Sequence, residues 1–290
     1  MSRMTFKPTM LHAAGLVLIA LMACRTVMAQ SPGCSAQPVA VQVTQQGGVE
    51  TVRTRSAAAT LEMRLLRLSP KDWSTAVVDM RTLRQMKAQR GSYTAPSYSL
   101  AELAGVAGSN RIVASAGMTE SLSAPVPVGL LKSAGVLRNR ANTASRVLDG
   151  VLCVRADQSV RLLSDTIAAG RRAPENWANA GCTHAVQAGP MLLDKGQPLI
   201  AARQALTIAR VFAAVDRSGR LVLGHVPKAT SFDLACALAA PALALDQAIA
   251  LQSDELGGVL IGERSGLPAA TWGQDGATLG SALEIVRRRP

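Results

Sequence analysis

The sequence predicts an α+β protein of one domain, built on a mixed, largely antiparallel sheet with interspersed helices. Its 290 residues suit one domain with a real hydrophobic core. Short apolar runs bounded by turn clusters recur along the chain. The clearest is a hairpin: Val211–Val215 and Arg220–Leu223 flank the turn-forming residues Asp216–Gly219. Helical signals fall between such runs without regular alternation, which disfavours a doubly wound sheet. A charged fraction of 17% against 48% hydrophobic residues argues against disorder. Beyond the amino terminus no 18-residue apolar run occurs, as a multi-spanning membrane protein would need.

Arg3 and Lys7 precede an apolar stretch, Ala13–Ala23, and then Val27-Met28-Ala29. Charge, a short apolar core and small residues at −3 and −1 predict a signal peptide over residues 1–29 and a periplasmic or secreted protein. Leu21-Met22-Ala23-Cys24 also resembles a lipobox, which would make Cys24 a lipid anchor. Residues 30–48, rich in Gln, Ser and Pro, read as a flexible linker, and the folded domain is placed at 49–263. Residues 264–290 form a C-terminal extension ending in Arg-Arg-Arg-Pro, with no role assigned.

Within the domain, Leu61–Leu68 and Ser74–Asp79 are strand-like and separated by the turn Ser69–Asp72. Arg81, Arg84, Lys87 and Arg90 recur every three residues, as on one side of a short helix. Ser99 followed by Glu102, ahead of Leu103 and Val106, predicts a capped helix ending near Gly105 or Gly108. Arg111–Ala114, Pro125–Leu131, Gly150–Val154 and Val160–Leu163 follow as short strands. Phe232–Ala240 reads as a helix stopped by Pro241, leading into a buried strand that ends near Leu251.

Cleavage after Ala29 removes Arg3, Lys7 and Arg25 and no acid, so the net charge of +12 becomes +9. A basic surface attracts anionic polymers or phosphorylated glycans. Nucleic acid is disfavoured, because three Trp, two Tyr and three Phe are too few for stacking platforms. Four cysteines remain, Cys34, Cys153, Cys182 and Cys236, enough for two disulfides in any of three connectivities. Cys182 and His184 lack a partner pair at metal-ligand spacing, so neither metal nor cofactor is assigned. His225 reads as a strand-end histidine with a backbone partner.

Several segments in order carry a resemblance: RIVASAGM (Arg111–Met118), LDGVLCV (Leu148–Val154), AVQAGPMLLDKG (Ala185–Gly196), ARVFAAVDRSGRLVL (Ala209–Leu223) and ALQSDELGG (Ala250–Gly258). Together they resemble the phosphodiester glycosidase domain family over about Leu61 to Glu263. The resemblance implies hydrolysis of a sugar 1-phosphodiester, with a phosphorylated or anionic glycan as partner and no cofactor. It places Arg210 as a phosphate-binding cation, and Gln187 and Gly189 in a turn that either holds substrate or shapes the sheet edge. Gly117 lies in the first motif. Where the family has Asn, this chain has Ser115 and Asp149, and where it has the Asp of Leu-Asp-Gly-Gly, Gln252 stands. An amide neither carries charge nor moves a proton, so the acid role would pass to Asp254 or Glu120. Two readings follow. One is an active hydrolase with Asp254, Arg210 and Glu120 as catalytic residues and Ser115, Gly117, Asp149, Gln187, Gly189 and Gln252 binding substrate. The other is an inactive relative that binds an anionic glycan.

Overall fold

Alternation of apolar and polar residues organises most of the chain into strands. The computed structural model describes residues 34, 40–55, 60–82, 99–107, 110–119, 126–164, 177, 180–201, 206–254, 256–276 and 279–288. Every strand pairing among them is antiparallel, and the strands form three sheets.

The largest sheet has eight strands. In spatial order these are β1 (Ala40–Gln46), β2 (Val49–Arg55), β3 (Thr60–Leu68), β14 (Leu221–Ala229), β13 (Ile208–Asp216), β15 (Leu245–Gln252), β11 (Met191–Asp194) and β12 (Gln197–Pro198). A second sheet orders β7 (Val136–Asn139), β6 (Leu131–Ser133), β10 (Cys182–Ala188), β8 (Gly150–Arg155) and β9 (Val160–Ser164). The third orders β17 (Ala270–Gly273), β16 (Gly258–Ile261), β5 (Arg111–Ser115), β18 (Ser281–Arg287) and β4 (Trp73–Asp79).

All three sheets contribute to one core, in which Leu66, Leu223 and Ile249 meet Leu152 and Val186 and also Ile112 and Ile285. The other face of the large sheet carries a second core. There Phe212, Val226 and Ala250 pack against Leu234 and Leu238 of helix α2 (Ser231–Leu238). Helix α1 (Leu100–Ala107) rests on the third sheet, and its cap is the expected one, with Ser99 Oγ accepting from the Glu102 amide at 3.1 Å. Thr230 caps α2 in the same way.

Three expectations change. The class is more β-rich than α+β, since eighteen strands lie among the described residues and the α-helices described in full, two of them, have eight residues each. Most apolar runs are too short for helices, and their alternation is satisfied by sheet faces. The segment expected as a tether contains β1, in which Val41 and Val43 alternate with polar residues and pair along the whole of β2. The segment expected as an extension supplies β18, which lies between β5 and β4.

Ser69–Asp72 is a turn as expected, but β3 and β4 do not pair; the turn carries the chain from one sheet to another. Disulfides join Cys34 to Cys236 and Cys153 to Cys182. The signal segment, Cys24, Arg84, Lys87 and Arg90 lie outside the described residues. Arg81, the one member of that series among the described residues, donates from Nε to Asp79 Oδ1 at 3.0 Å.

Candidate active site

The end of β15 is where the separate motifs meet. The Gly117 amide donates to the Leu251 carbonyl at 3.0 Å, which ties the first motif to the last. Gly189 and Pro190 bracket Ala250: the Gly189 amide donates to the Ala250 carbonyl, and the Ala250 amide to the Pro190 carbonyl, each at 3.0 Å. Ser115 Oγ accepts from the Gly258 amide at 3.1 Å. Asp149 Oδ1 accepts from the Met191 amide at 2.7 Å, binding the second motif to the third.

These motif side chains serve the chain itself. Gln187 is buried and uses its whole capacity: Oε1 accepts from the amides of Leu130 and Asn142 at 2.9 Å, and Nε2 donates to the carbonyls of Asn142 and Leu148 at 2.9 and 2.8 Å. It ties the loop before β8 and the start of β6 to β10. Gly189 is required by close approach, because a Cβ there would lie 1.9 Å from the Val147 carbonyl oxygen. Gly117 has φ +80°, and a Cβ there would meet Val186 and Ser281 at about 3 Å.

Unsatisfied polar atoms collect just past the end of β15. A register irregularity sets Gln252 opposite Val211 and Ala250 opposite Phe212. Gln252 is 5% exposed, and its Nε2 donates to Asp254 Oδ2 at 2.5 Å while its Oε1 is buried without a partner. Ser253 Oγ is also buried and unpartnered. Asp254 Oδ1 accepts from the Leu256 amide at 2.9 Å, which shapes the turn into Gly257. Gly257 fits closely over this pair, because a Cβ there would lie 3.0 Å from Gln252 Cγ and 3.3 Å from Val211 Cγ2.

Arg210 is not brought to this cluster. It stands opposite Val226, and alternation along β13 sends it to the face of Phe212 and Val226, whereas Val211 faces the core shared by the three sheets. Its Nε donates to the Ala229 carbonyl at 3.2 Å, and it makes no ion pair among the described residues. Burial lowers its pKa. Glu120 lies outside the described residues.

His225, expected at a strand end, lies inside β14. It does not find the backbone partner expected of it: Nε2 is buried and unpartnered, and burial, with Arg64 nearby, lowers the imidazole pKa to about 4. Its apolar neighbours in β14 gave no signal that the ring would line a cleft. His184, by contrast, accepts at Nδ1 from the Val77 and Ala134 amides at 3.2 Å. Cys182 is held in the disulfide with Cys153.

Antiparallel sheets around a shared core bring glycine-rich motif turns to one strand end, where unsatisfied polar atoms stand beside a carboxylate. A sequence profile of the phosphodiester glycosidase family matches residues 104–252, just over half of the chain, and the chain belongs to that family. The match includes the first four motifs and ends at Gln252, inside the fifth, so Ser253 and Asp254 lie beyond it.

Among solved structures, a hypothetical protein from Synechocystis shares the fold, with a TM-score of 0.59 at 12% identity over 86% of this chain. This chain spans 64% of that protein's length. The zebrafish N-acetylglucosamine-1-phosphodiester alpha-N-acetylglucosaminidase catalytic domain, auto-inhibited by its pro-peptide, aligns at 13% identity over 87% of this chain and 83% of that domain, with a TM-score of 0.49. No curated protein matches the sequence.

Proposed function

We propose that the protein is an exported hydrolase of a sugar 1-phosphodiester in an envelope or extracellular glycan, with its site at Gln252, Ser253 and Asp254. The observation that carries this reading is the contrast in hydrogen bonding across the motifs. Gln187, Ser115 and Asp149 are tied into the chain, whereas Gln252 Oε1 and Ser253 Oγ are buried with no partner beside a carboxylate. Buried polar atoms without partners are uncommon in folded proteins, and a ligand is one way of satisfying them.

In the reaction, water adds to the anomeric carbon, the bond from that carbon to the phosphate oxygen breaks, and a phosphomonoester leaves. Asp254 takes the proton of the attacking water, and Gln252 holds the carboxylate through its 2.5 Å hydrogen bond. Two disulfides support an oxidising destination.

The second reading, a glycan-binding relative without turnover, is favoured by one observation. The residue at the position of the family acid is Gln252, and Asp254 already accepts two hydrogen bonds.

The test is release of free sugar from an N-acetylglucosamine α-1-phosphodiester by the purified protein. Release that is lost in Asp254→Asn supports the hydrolase. A folded protein that binds a panel of sugar phosphodiesters without releasing sugar supports the binding module.

A further inference from the structure

A row of residues crosses the face of the large sheet that points to the shared core: Arg64 on β3, His225 on β14, Val211 on β13 and Gln252 on β15, each opposite the next. Gln252 belongs to the candidate active site. At the other end, two strand spacings or about 10 Å away, His225 and Arg64 open onto a separate cleft of about 230 Å³, walled by Trp272 and Thr271.

The cleft has the marks of a built site. His225 is 6% exposed, and its buried Nε2 is unpartnered. A buried polar atom without a partner has lost hydration without gaining a bond, a cost that a ligand reaching it removes. Gly273 lines the cleft and has φ +76°; a Cβ there would lie 2.9 Å from His225 Nε2 and 2.3 Å from the Gly257 carbonyl oxygen.

The rim carries one charge of each sign, Glu62 and Arg64. Glu62 pairs with Arg53 at 2.9 Å, whereas Arg64 is exposed and makes no ion pair among the described residues. The cleft therefore offers a guanidinium without an ion-pair partner among the described residues and an imidazole nitrogen without a hydrogen-bond partner, a combination suited to a sugar that carries a phosphate.

We propose that the cleft of His225 and Arg64 is a second subsite that binds a phosphate-bearing sugar of the glycan. Arg64 holds the anionic group and His225 hydrogen-bonds the ligand at its buried nitrogen. The assignment of a phosphorylated sugar rests on the function proposed above; the cleft and its unpartnered histidine do not.

The test is a titration of histidine-labelled protein with glucose 1-phosphate, followed by nitrogen-15 NMR of the imidazole rings, with His184 as the internal reference. The expected result is a saturable shift of the His225 ring signals, with His184 unmoved and the apparent Kd raised at least fivefold by Arg64→Ala. Arg64 is an exposed strand residue, so this variant tests the site without emptying the core. Absence of a His225 shift overturns the proposal, as does a shift indifferent to Arg64→Ala or one reproduced by uncharged glucose. The readout is binding and not turnover: a protein that releases no sugar but shows the His225 shift fails the proposed function and keeps this subsite.

Discussion

Gln252 and Asp254 form one hydrogen-bonded unit, with the amide donating to the carboxylate at 2.5 Å and the amide oxygen left buried without a partner. Replacing the donor by an acid converts attraction into repulsion. Gln252→Glu sets two carboxylates in contact, and one of them then holds a proton well above the usual carboxylate range. The variant is expected to melt below the parent at pH 7 and to approach it at pH 4.5. Thermal melts of both proteins at each pH check this.

Gln187 is a structural tie, and its loss is a stability event. Gln187→Leu leaves two amides and two carbonyls without their partner in the interior. At about 1–3 kcal/mol for each buried group left unsatisfied, a loss of about 3 kcal/mol or more is expected. Denaturant unfolding measures it directly.

The Cys153–Cys182 disulfide spans 29 residues, including those that join β9 to β10. In the chain-entropy account a loop of that size contributes about 3–4 kcal/mol. Replacement of both cysteines by Ser is expected to lower the unfolding free energy by that order and to leave the Cys34–Cys236 bridge intact, as peptide mapping of the oxidised variant would show.

Acid should destabilise the protein through its buried histidines. His225 has a pKa of about 4 in the fold, lowered first by burial and then by Arg64, against about 6.5 unfolded. The unfolded chain therefore takes up the proton first, so stability is complete above about pH 6.5 and is lost as pH falls from there toward 4. The full shift corresponds to about 3 kcal/mol, and His184, also lowered mainly by burial, acts in the same direction. A His225→Gln variant is expected to show a shallower loss over that interval in unfolding free energy measured against pH.

Local chemistry made part of this architecture legible. Ser99 and Glu102 announced the start of α1 because a cap is set by residues three apart, and Asp216 announced its hairpin because its carboxylate closes the turn, accepting from the amides of Ser218 and Arg220. The motif segments located the converging turns at Gly117, Gly189 and Gln252.

What was not legible depends on neighbours distant in sequence. The facing of Arg210 follows from its pairing with Val226, sixteen residues on in another strand. His225 became part of a cleft only when Gly273 of another sheet arrived beside it. The place of β18 between β5 and β4 needed a strand partner about 170 residues earlier, so the chain end read as an appendage.

The central claim is that the turn after β15 carries the chemistry of the protein. The most direct measurement is kcat/KM for sugar release from an N-acetylglucosamine α-1-phosphodiester by the parent, Asp254→Asn and Arg210→Ala, each with its Tm recorded. The account predicts that Asp254→Asn loses at least a hundredfold at unchanged Tm, as expected when a general base is removed. It predicts that Arg210→Ala, on the opposite sheet face, lowers Tm while retaining activity in the folded fraction. Full activity in Asp254→Asn, or activity abolished in a stably folded Arg210→Ala, would contradict it.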